Sequence, residues 1–282
     1  WPDSTNAINM IRTFHYNDHV PAKAWVLWAV THGINVLVGL SLNNDNGAAE
    51  IAAFSADYMA ASTPLKALYN TYVLAIAVGN EETNTPSIAL GLQSVTALIS
   101  SSMLPTAALV TSVMTENFLQ NSYPPPSCTF ASSYITDILP NITLICFNTY
   151  PYFLWSDGIP LSSCLSWTSD TANGEYSVLL NTFAAIRYAM TAAVTSLPFW
   201  STETGWSSTP LGSEPADWAT LPNLTTYYSS FIGYDMTVKI LAQASSILQD
   251  PPARIFYFCL RDVVNSGSFG IYTSNATLTP KV

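Results

Sequence analysis

Charge is what this chain has least of. Asp, Glu, Lys and Arg together make up 9% of its 282 residues, against roughly 25% in an average soluble protein. Eight basic residues face eighteen acidic ones, for a formal net charge of -10. A basic stripe able to neutralise phosphates is excluded, and nucleic acid with it. An anionic membrane surface is excluded as a partner on the same ground. Long apolar runs are also absent. The longest clean one covers residues 72–78, far short of the ~20 residues that a membrane span needs. The four cysteines include no CxxC spacing, so a zinc site has no support. His15, Asp18 and His19 share one loop with no further ligand close by, and read as loop surface. No phosphate-binding or dinucleotide glycine pattern occurs, and no cofactor or metal is expected.

Something other than charge must keep the surface wet. Ser, Thr and Asn fill stretches such as 201–209 and 225–230, and Asn-x-Ser/Thr sequons begin at Asn141, Asn223 and Asn275. With few lysines and four cysteines, these favour a secreted glycoprotein, extracellular or in a cell wall. The chain opens on Trp1-Pro2-Asp3-Ser4 without a visible signal peptide, so a leader is expected to have been cleaved or to lie upstream. Cys128 follows the turn run Pro124-Pro125-Pro126-Ser127, and Cys164 ends the loop-like run Leu161-Ser162-Ser163. They are the candidate disulfide. Cys146 and Cys259 lie in apolar strand-like runs and read as small buried hydrophobes.

Hydrophobic residues reach 49%, enough for a sizeable core. They are arranged in an alternating series. Strand candidates cover 10–14, 35–40, 72–78, 107–113, 142–147, 198–202 and 254–258. Helical patterns cover 22–31, 48–61, 88–100, 176–193 and 225–248, with a weaker one at 130–139. Near-continuous apolar strands that alternate with amphipathic helices mean a parallel sheet covered by helices. No Gly-Ser or charged linker interrupts them, so 1–282 reads as a single domain. The class is α/β, and regular alternation at this length favours a (β/α)8 TIM barrel. Seven strands are counted where such a barrel has eight, so the first β/α unit is expected to be missing from this chain.

Polar residues cluster after the strand ends, where barrels of this class carry their active sites. Two clusters hold a carboxylate. Ile76-Ala77-Val78-Gly79-Asn80-Glu81 ends a strand in Gly, an amide and an acid. Phe199-Trp200-Ser201-Thr202-Glu203-Thr204-Gly205-Trp206 ends another in an acid followed by Gly and Trp. In the expected order they stand three strands apart, which would set them nearly opposite across a barrel mouth. Two facing carboxylates are what glycoside cleavage requires. One donates a proton to the leaving oxygen, and the other attacks the sugar carbon or activates water.

These motifs resemble glycoside hydrolase family 17, the β-1,3-glucanases and glucanosyltransferases. Val78-Gly79-Asn80-Glu81 resembles that family's acid/base motif and Glu203-Thr204-Gly205-Trp206 its nucleophile motif. Asn148-Thr149-Tyr150-Pro151-Tyr152-Phe153 is similar to the segment after its sixth strand. Ile34-Asn35-Val36-Leu37-Val38-Gly39 is similar to its third strand, and Ile11-Arg12-Thr13-Phe14 to its second. Phe269-Gly270-Ile271-Tyr272 resembles its closing segment. The resemblance implies a retaining mechanism on β-1,3-glucan, with Glu81 as acid/base and Glu203 as nucleophile. Asn80 would bind the sugar 2-hydroxyl, and Tyr150 would hold Glu203 ionised and oriented. Tyr152, Phe153, Trp155 and Trp206 would offer flat faces to sugar rings.

The sequence departs from the family pattern after the last strand. Asp262 fits an expected acidic or amide position, but Val263 stands where a Glu is usual, and no Lys follows until Lys281. The alternative reading is therefore a non-catalytic structural or carbohydrate-binding glycoprotein on a glucanase-like barrel. A barrel short of one strand would expose edges that recruit another chain, so either residues upstream of this sequence or a second copy, by self-association through the open edge, is expected to fill the gap.

Overall fold

The computed structural model describes residues 9–17, 21–42, 45–120, 127–168, 176–241, 247–259, 268–273 and 280–282. Seven strands form one sheet in simple chain order. They are β1 (Met10–Arg12), β2 (Asn35–Leu40), β3 (Val73–Asn80), β4 (Leu109–Met114), β5 (Ile145–Asn148), β6 (Phe199–Thr204) and β7 (Arg254–Tyr257). Every strand expected from the sequence is present. The chain packs as two compact units. The first takes in Trp1–Phe118, Ala131–Phe147 and Leu197–Phe199, and the second Leu119–Phe130, Asn148–Ser196 and Trp200–Val282.

In the first unit β1 to β4 pair in parallel, with Ile11 opposite Val36, Val38 opposite Ile76 and Ile76 opposite Val110. Helices α1 (Pro21–Thr31), α2 (Ala48–Ala60), α3 (Thr63–Tyr72) and α4 (Thr85–Ser100) alternate with them. Strands β2 to β4 are buried along nearly their whole length. That accounts for their unbroken apolar runs, since neither face meets water. Ile88, Leu92 and Val95 recur on one face of α4 and are fully buried, the spacing of an amphipathic helix. Buried Glu50 in the first turn of α2 accepts hydrogen bonds from the backbone N–H groups of Tyr16, of Asn17 at 2.8 Å and of Ser41 at 3.2 Å. One carboxylate thus ties down the segments that follow β1 and β2.

In the second unit β7 pairs with β6 in parallel, with Ile255 opposite Ser201 and Tyr257 opposite Thr204. Helices α5 (Leu161–Leu165), α6 (Val178–Ala192) and α7 (Leu221–Gly233) belong here. Ser177 caps α6 by accepting from the N–H of Leu180 at 3.3 Å, and Leu179, Phe183, Ile186 and Met190 form its buried stripe.

The helices differ from expectation in four places, one of them the short α5 where a loop was expected. Helix α3 carries few apolar residues and was hidden between α2 and the β3 run, although Ser62 and Pro64 mark its start. The helix expected over 225–248 is Leu221–Gly233 instead. Thr220 caps its start by accepting from the N–H of Asn223 at 3.3 Å. Just past its end, the Asp235 carboxylate accepts from the Thr237 N–H at 2.8 Å, a turn that competes with further helix. Two short strands, Ile240–Leu241 and Leu248–Gln249, pair antiparallel beyond it. The weak pattern over 130–139 resolves into one π-type turn at Tyr134–Ile138 and a 3-10 turn at Leu139–Asn141, where Pro140 precludes a regular helix.

Candidate active site

At the end of β3 the pairing with β4 slips. Ala77 faces Thr111 and Asn80 faces Val113, so three steps along β3 match two along β4. This bulge re-aims the chain just before the acid. Gly79 takes φ +77°, a left-handed conformation that glycine adopts without cost. Glu81 itself sits at φ 60°, which is uncommon for a residue with a side chain and recurs at functional sites. Its backbone N–H is fixed by donation to the Val113 carbonyl at 2.9 Å. The Glu81 side chain is exposed. Asn80 accepts, through Oδ1, a hydrogen bond from the Arg12 guanidinium of β1. That guanidinium also lies 4.5 Å from the centre of the Phe14 ring.

At the end of β6 the surroundings are different. Glu203 is buried, at 7% exposure. Its Oε1 accepts from the Asn148 side-chain amide at 2.8 Å, and its Oε2 from the Tyr150 hydroxyl at 2.6 Å. Thr202 donates to Asn148 Oδ1 at 3.0 Å, which turns the amide nitrogen toward the acid. The Thr149 N–H donates to the Glu203 carbonyl at 2.9 Å. Two donors on one buried carboxylate favour its charged form and fix both oxygens. Gly205 follows because a Cβ there would lie 2.2 Å from the Phe258 carbonyl oxygen.

Asn148, quoted in a motif but given no role by the sequence reading, donates to Glu203. Its signal was an amide on the last residue of an otherwise apolar strand. Phe153 is 49% exposed and offers a ring to solvent. Tyr152 and Trp206, expected to do the same, are fully buried. The Tyr152 hydroxyl donates to Glu214 at 2.9 Å and its ring packs edge-on against Trp206 at 5.3 Å. Burial drives the Tyr152 hydroxyl well above the usual tyrosine range. Trp206 Nε1 donates to the Trp218 carbonyl at 2.9 Å. Their apolar bodies are consumed by packing, so they shape the loop after β6 from within. Trp155 is half-buried.

Other expected features also find their places. Cys128 and Cys164 are both buried, and burial pushes their thiols up to about 11 and about 12. Cys164 is a free thiol on α5, so the expected Cys128–Cys164 disulfide is not formed. A short helix in apolar packing replaced the expected exposed loop. Cys146 is fully buried and Cys259 half-buried. At the sequons, Asn141 donates to the Asp137 carbonyl at 2.7 Å, and Asn223 to the carbonyls of Asp217 and Trp218 at 2.8 Å. A glycan would take one of the two amide hydrogens, so at Asn223 one of the two bonds would be lost. Asn275, Asp18, His19, Asp262 and Val263 lie outside the described residues.

Comparison of the sequence with protein-family models and with curated proteins finds no match. Comparison of the structure does. A β-1,3-glucanase and allergen of Cryptomeria japonica pollen aligns at TM-score 0.68 and 20% identity, over 98% of this chain and 90% of that one. A plant β-glucan endohydrolase aligns at TM-score 0.68 and 19% identity, over 98% and 91%. A glycoside hydrolase family 17 β-1,3-glucanosyltransferase from Rhizomucor miehei aligns at TM-score 0.59 and 18% identity, over 97% and 85%. The chain shares the fold of these structures, one of which is a family 17 glycoside hydrolase. Among the described residues seven strands make up the sheet, where a (β/α)8 barrel has eight. Glu81 and Glu203 each follow or end a strand of that fold at its C-terminal side. Among the described residues no helix is long and apolar enough to cross a membrane.

Proposed function

We propose that this chain is a retaining glycoside hydrolase or transglycosylase acting on β-1,3-glucan. Glu203 is the nucleophile and Glu81 the acid/base. The observation that carries this reading is the state of Glu203, a buried carboxylate at a strand end with one donor on each oxygen. A nucleophile must be charged and aimed before substrate arrives, and Asn148 and Tyr150 serve both needs. Glu81 is exposed at the strand end, where it can exchange protons with the leaving group and then with water. A retaining reaction requires the two carboxyl groups to come within ~5–5.5 Å of each other.

Attack of Glu203 on the anomeric carbon forms a glycosyl ester and breaks the glycosidic bond, while Glu81 protonates the departing oxygen. Glu81 then takes a proton from the acceptor as the ester is displaced. Water as acceptor gives hydrolysis, and a sugar hydroxyl gives transfer. Asn80 would bind the 2-hydroxyl and Phe153 would stack on a sugar ring. The fold neighbours support glucan as the substrate, since their names give β-1,3-glucanase and β-1,3-glucanosyltransferase activities. The same proposal covers a single-domain chain, a place outside the cell or in its wall, and self-association through β1 and β7, which end the strand order.

The test is incubation with laminarin followed by product sizing. Shortened products establish hydrolysis, and elongated ones transfer. Unchanged laminarin that is nonetheless bound would replace this reading with a carbohydrate-binding role.

A further inference from the structure

The closing segment around Phe269 has no part in the chemistry above, yet it is the hub of the rings behind Glu203. Phe269 is 3% exposed. Its ring centre lies 5.8 Å from that of Tyr150, 5.1 Å from Tyr152, 6.1 Å from Phe153 and 6.0 Å from Phe258. Tyr150, one of the rings it supports, donates to Glu203 at 2.6 Å. The backbone just before Phe269 is held from the far end of the chain. Lys281 Nζ donates to the Ser268 carbonyl at 3.1 Å and to Ser208 Oγ at 3.0 Å. Ser208 donates to the same Ser268 carbonyl through its N–H and its hydroxyl, both at 3.0 Å. Thr209 donates to Ser268 Oγ at 2.9 Å. The Lys281 N–H donates to the Ile271 carbonyl at 2.9 Å, and Tyr272 bridges Pro280.

From this we infer that Lys281 is a positioning residue for the nucleophile. It ties segment 268–269 to the loop after β6, so that Phe269 holds the Tyr150 ring where its hydroxyl meets Glu203. The inference rests on the reading of Glu203 as nucleophile and adds to it a control exerted by a segment 78 residues further along the chain. A lysine is suited to the task because one ammonium group bridges two acceptors on separate segments. A charge-assisted bond to a carbonyl is also stronger than a neutral one.

The experiment compares Lys281→Met, Lys281→Arg and Phe269→Leu with the parent chain. Two readouts are used, laminarin kinetics and pH titration of the Glu203 carboxyl carbon by NMR. In Lys281→Met and Phe269→Leu, kcat falls about tenfold with KM within about twofold, less than the ~100-fold that a misplacement of about 1 Å can cost. The carboxyl titration moves to higher pH, because a loosened Tyr150 bond no longer favours the charged form. Lys281→Arg restores both. Phe269→Leu changes no charge, so a displaced titration in Lys281→Met alone would mean that Lys281 acts by its field, and would overturn the inference. Parental kcat and titration in both variants would overturn it as well. Should Lys281→Met fail to fold, Ser208→Ala, which removes one Lys281 acceptor, carries the same expectations. If the parent chain leaves laminarin untouched while both titrations move, the enzyme reading fails and the positioning role stands.

Discussion

The ends of β3 and β6 each present a glutamate after a slip in the strand pairing, but they surround it differently. At β3 the backbone does the holding. A bulge, a left-handed Gly79 and a left-handed Glu81 set the direction, and the residue is exposed. At β6 the pairing with β7 slips as well, between Ser201 and Thr204, and side chains are seen to grip the acid. Asn148 and Tyr150 grip both oxygens of a buried acid. An acid that trades protons with solvent gains from exposure, whereas a nucleophile gains from fixed direction and fixed charge. The same residue type is therefore specialised by its surroundings.

Substitutions that erase the difference test it directly. Glu203→Gln should have the largest effect, a loss of laminarin turnover beyond about ten-thousandfold, the upper end of what one proton-transfer group contributes. The neutral amide is too weak a nucleophile to form the ester, so a loss of only a few fold would break the assignment. Glu81→Gln should cost about 10²–10⁴-fold, with a smaller loss on substrates whose leaving groups need no proton. An equal loss on both would remove Glu81 as the acid.

Tyr150→Phe and Asn148→Ala each take one donor from Glu203. We expect losses of about ten- to hundredfold, the rate equivalent of the ~1.5–3 kcal/mol carried by a hydrogen bond to a charged group. The acidic limb of the kcat/KM profile should move to higher pH, since each donor favours the ionised form. A profile that keeps its shape would show that the two donors act only on packing.

Glu116 provides the control and the smallest effect. It follows β4 in a short 3-10 turn, and burial alone pushes its carboxyl up to about 7. A carboxyl raised in the folded state contributes stability below the unfolded value near 4.5, and loses it as pH rises toward about 7. Glu116→Gln should therefore raise the unfolding midpoint by a few degrees at pH 8, about 1 kcal/mol, and change it little at pH 4. Turnover should stay near parental. A loss approaching that of Glu81→Gln would make Glu116 a third working acid.

Much of this was legible in the sequence. Runs such as 35–40 and 72–78 are apolar because strands covered on both faces must be, and that signal is local. Glu81 and Glu203 stood out as acids closing such runs. Less legible was what surrounds them. Tyr152 and Trp206 have the composition of sugar platforms, yet they lie in the core. Cys128 and Cys164 sit in turn-rich sequence, yet both are buried and Cys164 remains a thiol. Helix α3 escaped notice because its apolar residues are few, and α7 was overdrawn because the turn at Asp235 lies within a helix-like composition.

The sequence by itself determined the strands, their order and which two carboxylates end them, because burial patterns repeat along a few neighbouring residues. Only the tertiary structure decided that Asn148 and Tyr150 close on an acid 55 and 53 residues away, and that Lys281 reaches back 73 residues to Ser208. Those partners share no local pattern. They meet because the sheet order brings distant strand ends together, and a hydrogen bond depends on position to within tenths of an ångström.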